Sequence, residues 1–197
     1  MPTPNPGPNP AALAHLAQRR SAAAKLYTDP VPDRAALEAI LTLAFRTPDH
    51  GKLEPWRLVV LSRPDMARLA DLAEARAREL GGDAEKIAKG RGQYDAGRLA
   101  VAVISSPKPA EKVPAAEQRL SAGALCMNIL HAATASGWGA CWLTGWPAHD
   151  ATFAARAFAC TGNETVAGIV HIGTPPAELP PDRPRPDLAR LVRWGLE

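Results

Sequence analysis

The sequence predicts a single α+β or α/β layer domain. Two observations carry this. Of the 197 residues, 46% are hydrophobic and 22% are charged, the balance of a chain that buries one core. Helical stretches with apolar stripes come first, and short apolar runs of strand type then alternate with further helical stretches. No internal repeat and no second domain interrupt this order.

Each element has its own local reason. Residues 1–10, MPTPNPGPNP, hold five prolines and read as a flexible, partly extended tail, with the domain running over 11–197. A first helix is expected over 11–20, with Leu13, Leu16 and Ala17 on one face. Asp33 is an N-cap for a helix over 36–46, where Leu37, Ile40, Leu41 and Ala44 form a stripe, and Pro48 ends it. The run 56–61 is apolar, valine-rich and short, so it reads as a strand. Ser62 and Asp65 make a capping-box-like start for a helix to about Leu80, stopped by Gly81 and Gly82. Residues 82–97 have poor periodicity and read as an excursion or short helix. A second buried strand is expected over 99–104. The Ala-rich stretch 115–135 reads as the central helix, broken by Gly137 and Gly139. A short strand over 140–143, a helix capped by Asp150 and running to Phe158, and a strand over 165–172 follow. From Thr174 the chain is Pro-rich and closes on an LxxLVRWG patch.

Composition excludes several function classes. The net charge is +3, from 23 basic and 20 acidic residues, and the basic residues are scattered. Neither nucleic acid nor an acidic membrane surface is an expected partner. Cys126, Cys141 and Cys160 have no CxxC spacing, and their odd number argues against a disulfide framework. They read as small buried hydrophobes. The histidines form no HExxH or similar cluster, so no metal site is expected. No apolar run approaches the roughly 20 residues of a membrane span, and the N-terminal stretch has no basic region followed by an apolar one. A cytoplasmic location is expected. There is no GxGxxG after a strand, no GxxxxGK[ST] and no GxSxG. The lack of acid, base and nucleophile motifs points to chemistry carried by a bound cofactor.

Four segments are too polar or too unusual for plain connections. Arg19, Arg20 and Ser21 close the first helix with several donors in a small space, and arginine matches phosphate bidentately. A solvated helix end is the plainer alternative. The loop Arg46-Thr47-Pro48-Asp49-His50-Gly51-Lys52-Leu53-Glu54-Pro55-Trp56 suits the edge of a planar polar ring, or is an ordinary connection. The stretch 137–146, GWGACWLTGW, interleaves three tryptophans with glycines and offers either an indole wall for a ligand or a Trp-rich core. Arg183 and Arg185 stand beside prolines in the tail, free to meet an anion or water.

These residues carry a resemblance. The chain resembles the nitroreductase family of flavin enzymes, and most closely its small YdjA-like branch. RRS at 19–21 ends the first helix as in the family. The APSxxNxQPW segment of many members is matched by FRTPDHGKLEPW, and PDH followed by PW is typical of that branch. GWGACWLTG resembles its GFGG-x-WRSG, and the tail, RPxL then VxW, resembles the family's ending. The resemblance covers roughly residues 11–194.

The resemblance implies an α+β fold around a central, mainly antiparallel sheet flanked by helices. It implies an intertwined homodimer with FMN at the interface, reduced by NADH or NADPH and reoxidised by a small-molecule acceptor such as a nitroaromatic or a quinone. It implies that Arg19, Arg20 and Ser21 hold the phosphate and ribityl end. Arg46 and His50 would reach the flavin from the partner subunit, beside Pro48 and Asp49, and Trp142, Leu143 and Thr144 would line it. Ala132, Ala133, Thr134, Ala135, Ser136 and Gly137 match a segment linked to nicotinamide binding. No residue is singled out as a catalytic acid. This sequence departs from the pattern at three places. Lys52 replaces Asn or a small polar residue, Glu54 replaces Gln, and Leu143 replaces the arginine of WRS, with Arg57 a candidate to compensate. A flavin-binding or storage protein with little turnover is the alternative that these departures favour.

Overall fold

The computed structural model describes residues 7–196. Most of the expected tail, residues 1–6, lies outside them. The first helix, α1 (Pro10–Gln18), starts at a proline that needs no N–H partner, and the Asn9 side chain accepts from Ala12 N at its N-terminus. It is followed by α2 (Arg34–Ala44), β1 (Trp56–Leu61), α3 (Arg63–Glu79), α4 (Ala84–Arg91), β2 (Leu99–Ser105) and α5 (Ala115–Ala135). The chain continues through β3 (Gly139–Leu143), α6 (Trp146–His149), α7 (Ala151–Phe158), β4 (Thr165–Gly173) and α8 (Leu188–Leu191). The expected caps form: Asp33 accepts from Ala36 N, Asp150 from Phe153 N, and Ser62 with Asp65 completes a capping box. The segment 82–97 contains a short helix whose N-cap is Asp83.

The four strands form one sheet in the order β1-β2-β4-β3. All three pairings are antiparallel, so the α/β alternative is set aside in favour of α+β. β2 is buried along its whole length, as a central strand covered on both faces must be. One face packs on α2 and α5 through Leu37, Ile40, Val101, Val103, Leu125, Ile129, Val170 and Ile172. The other packs on α3 and α7 through Met66, Ala70, Ala100, Ala102, Ile104, Phe153 and Phe158. Leu125 and Ile129 are fully buried, each contributing on the order of 2 kcal/mol of apolar transfer. α5 is flanked by the sheet and α2, which is why its 21 residues carry so little charge. Its end is set by Gly137, whose φ of +86° suits glycine, and by Trp138 N donating to the Ala133 carbonyl.

Among the described residues, no helix is long and apolar enough to cross a membrane, and no group of three or more His, Cys, Asp or Glu side chains is placed to hold a metal ion. Cys126 and Cys141 are buried as expected, whereas Cys160 is only half-buried.

Candidate functional site

A cleft of about 760 Å³ collects three of the four segments singled out in the sequence. Its wall begins where α1 stops. The helix ends two residues earlier than the expected 20, with Arg19 already extended at ψ 125°. Arg19, Arg20 and Ser21 therefore line the cleft from a non-helical backbone. Arg19 Nη1 donates to Ser21 Oγ at 3.4 Å, and Arg20 Nη1 donates to the Pro180 carbonyl at 3.0 Å. The opposite wall is the edge strand β3, which supplies Cys141, Trp142 and Leu143. The tail supplies Pro180, Pro181, Asp182, Arg183 and Arg185. Arg185 is anchored by Asp182 at 3.0 Å and by the Ala17 carbonyl at 2.8 Å.

Four arginines against one aspartate make this cleft electropositive, and each guanidinium has donors beyond those already used. Such a donor set fits a phosphate-bearing ligand. The floor is firm. Tyr27 donates its hydroxyl to the Ala22 carbonyl and accepts from Ala22 N, and it packs with Cys141. Burial pushes the Cys141 thiol up to about 11, so it lines the cleft as a neutral group. Trp142 lies on β4, its indole nitrogen against Gly168, where a Cβ would come within 1.9 Å.

The tryptophan-rich stretch does not act as one wall. Trp138 packs on the α2–α5 core. Trp146 turns to the far side of the sheet, where its Nε1 donates to the Lys86 carbonyl and the Lys86 ammonium sits 5.4 Å from its ring. Only Trp142 lines the cleft. Thr144, just beyond β3, is exposed and outside the cleft lining.

The fourth segment forms a separate groove of about 450 Å³, lined by Phe45, Thr47, Asp49, Lys52, Glu54 and Trp56. Within one protomer, Arg46 and His50 are thus not brought to the arginine-lined cleft. The loop is held firmly to α5. Ser121 donates to the Pro48 carbonyl, Trp56 Nε1 donates to Ser121 Oγ, and Asn128 Nδ2 donates to Thr47 Oγ1. Asp49 accepts from the backbone N–H groups of Leu53 and Glu54, which holds Lys52 and Glu54 at φ of +52° and +48°. His50 Nδ1 lies 2.8 Å from the Glu117 carboxylate, and both are exposed. The Phe45 and Trp56 rings stack at 5.5 Å.

The structure bears on two expectations. Ala132 and Ala133 sit in the core, and Thr134 bonds back to the Leu130 carbonyl. Of the segment expected at a nicotinamide, only Ala135, Ser136 and Gly137 are exposed. Arg57 does not replace the missing arginine at position 143. Its guanidinium grips Glu164 at 2.9 Å and the Phe158 carbonyl at 2.8 Å. That contact holds the Glu164 carboxyl down to about 2.

Sequence reasoning missed Leu16, Leu26, Leu130 and Asp182 of the cleft and Phe45 of the groove. A signal existed for Asp182, three residues before Arg185. None existed for the leucines, which resemble any apolar position.

Against this geometry, the comparisons with known proteins agree. The model of the nitroreductase family matches residues 16–174. The chain belongs to the nitroreductase family. It is 32% identical over 164 residues to YdjA of Escherichia coli strain K12, which carries an NAD(P)H nitroreductase name, covering 83% of this chain and 88% of YdjA. A protein of Haemophilus influenzae with the same kind of name is 34% identical over 83% of this chain and 88% of its own. These similarities set the chain beside the YdjA-like branch of the family. The fold is shared with a nitroreductase-like protein from Bacillus cereus, at a TM-score of 0.75 and 20% identity over 96% of this chain and 98% of that one. It is shared also with a nitroreductase from Desulfovibrio desulfuricans solved in complex with FMN, at 0.70 and 23% identity over 96% and 99%.

Proposed function

We propose that this protein is an FMN-dependent oxidoreductase that takes hydride from NADH or NADPH and delivers electrons to a small-molecule acceptor such as a nitroaromatic or a quinone. The observation that carries this reading is the convergence of Arg19, Arg20, Ser21, Arg183 and Arg185 with Trp142 and Leu143 around one cleft. The FMN in the Desulfovibrio relative and the NAD(P)H nitroreductase names of YdjA and the Haemophilus protein support it.

Bound FMN supplies the ring that accepts hydride and passes electrons on. The chain supplies binding and field. Arg19, Arg20 and Ser21 hold the phosphate and ribityl end, with Arg183 and Arg185 adding charge from the tail. Trp142 and Leu143 give the ring an apolar flank, with Thr144 beside them at the end of β3. Arg46 and His50 act from the partner subunit of a homodimer. The absence of both from the cleft lining within one protomer supports this arrangement, in which a second copy supplies them. Arg46 is exposed and makes no ion pair among the described residues, so its positive charge is available to the ring. Of the segment at the end of α5, Ala135, Ser136 and Gly137 remain the nicotinamide contacts.

The test is the visible spectrum of the purified protein, followed without oxygen as NADH and then NADPH are added. Flavin bands that bleach within seconds and return with a quinone establish the activity and name the donor. Bands that persist assign a storage role. A colourless protein that takes up no added FMN refutes the proposal.

A further inference from the structure

The arginine wall of the cleft is anchored at one residue. Ala22 follows Ser21 directly, is 3% exposed and lines the cleft. Its backbone N–H donates to the Tyr27 hydroxyl at 3.2 Å, and its carbonyl accepts from the same hydroxyl at 3.1 Å. A phenol can donate and accept at once, so one side chain pairs both backbone polar groups of a buried residue. Burial raises the Tyr27 pKa well above the ordinary phenol range, and the hydroxyl keeps the proton that it donates. Phenylalanine would fill the same space and make neither bond.

Tyr27 is itself fixed from behind. The turn Ala24–Leu26 carries the chain from Ala22 to the end of β4, where Thr28 and Thr174 exchange two backbone hydrogen bonds at 3.0 Å. Gly139 of β3 and Gly173 of β4 are paired across the two strands, and both lack a side chain where the tyrosine lies. A Cβ on Gly139 would come within 2.6 Å of the ring, and one on Gly173 within 3.0 Å of the Tyr27 Cβ. Neither glycine has a positive φ, so what each provides is space rather than backbone freedom. Tyr27 is 2% exposed within one protomer, so a second copy of the chain leaves this clamp as it is.

Arg19, Arg20 and Ser21 precede the clamp on a stretch that is neither helix nor strand, and their aim depends on where residue 22 is held. Donors already in position bind a phosphate better than donors that must be ordered as it arrives. We propose that Tyr27 is the positioning residue of this wall. By holding Ala22 against the sheet it sets Arg19, Arg20 and Ser21 for a terminal phosphate, and so sets the preference for FMN over riboflavin, the same ring and ribityl chain without the phosphate. This role rests on the FMN reading above. Tyr27 lies outside the cleft lining and acts through residues 19–22.

Equilibrium titration of the full chain, stripped of flavin, with FMN and with riboflavin tests the role. The wild type should bind FMN more tightly. Tyr27→Phe should weaken FMN binding roughly five- to tenfold, the worth of about one hydrogen bond, and change riboflavin binding by less than about twofold. A general loosening of the fold lowers both alike, so the ratio separates positioning from stability. Gly173→Ala keeps the phenol and crowds its Cβ. It should lower the ratio in the same direction, and it carries the test if Tyr27→Phe does not fold. The role of Tyr27 is overturned, with the FMN reading left standing, if the wild type binds both flavins equally, if Tyr27→Phe keeps the full preference, or if it weakens both flavins alike. A wild type that binds neither flavin refutes the FMN reading itself, and the role of Tyr27 with it.

Discussion

At the residue scale, the sharpest conflict between a side chain and its surroundings is His171. It lies on β4 with 2% of its surface exposed, and neither ring nitrogen has a hydrogen-bond partner among the described residues. Burial pushes its pKa down to about 4. The folded state thus binds a proton less readily than the unfolded chain, whose histidine titrates near 6.5. Stability is intact above that value and falls as pH drops from about 6.5 through about 4, by roughly 3 kcal/mol when the transition is complete. Replacing the ring with an apolar side chain removes both the orphaned nitrogens and this acid sensitivity. His171→Leu should therefore leave denaturant stability at pH 7 within about 1 kcal/mol of wild type and flatten its decline toward pH 4. An unchanged acid slope in urea titrations would assign the acid sensitivity to other groups, among them Glu164, whose pKa of about 2 makes the folded state lose stability as pH falls below the ordinary carboxylate range.

At the element scale, the cleft depends on how β3 and β4 pack against each other. Trp142 lies flat against β4 because Gly168 has no side chain, and a methyl there would meet the indole at 1.9 Å. Gly168→Ala should displace the ring, cost about 1–3 kcal/mol as overpacking does, and shift the tryptophan emission; a fold of unchanged stability and emission would show that Trp142 rests elsewhere. The same pair illustrates what was legible beforehand. Strands, caps and the central helix could be read because each rests on local chemistry: the valines of β1, the capping carboxylates of Asp33 and Asp150, the alanines of α5. The arginine-rich cleft was legible because its parts are unusual in sequence. The fate of the three tryptophans was not, since the chain turns at Gly137, enters β3 and breaks again at Gly145, leaving Trp138 in the α2–α5 core, Trp142 at the cleft and Trp146 on the far side of the sheet. The burial of Ala132 and Ala133 was hidden for a related reason. Helix period alone does not say which side of α5 meets the sheet. Arg57 was free to roam in sequence, and only the fold reveals Glu164 beside it, 107 residues away.

At the scale of the whole molecule, the unfinished surface is the argument. Leu188, Leu191, Trp194 and Leu196 are 72%, 70%, 88% and 99% exposed, in a tail that follows the arginines of the cleft. Scattered apolar side chains are ordinary on a surface, but four within nine residues of one arm, on a chain that also leaves Leu13 and Leu16 open, leave an apolar surface that one protomer does not cover. A second copy that received this arm would bury those side chains and, by the same symmetry, give its own arm in return. It would also bring Arg46 and His50 toward the cleft that a single copy leaves without them. Ending the chain after Pro186 keeps Arg183 and Arg185 and removes the apolar arm. Sedimentation equilibrium should show the full chain as a dimer at micromolar concentration and the shortened chain as a monomer, with its far-ultraviolet spectrum retained because the arm adds nothing to either core cluster. The shortened chain should also lose FMN, since half of the proposed site comes from the partner. A shortened chain that remains dimeric would move the interface to the α2–α5 side. A full chain that is monomeric yet binds FMN would require the arginine cleft alone to hold the cofactor, and would remove the partner's Arg46 and His50 from the proposed site.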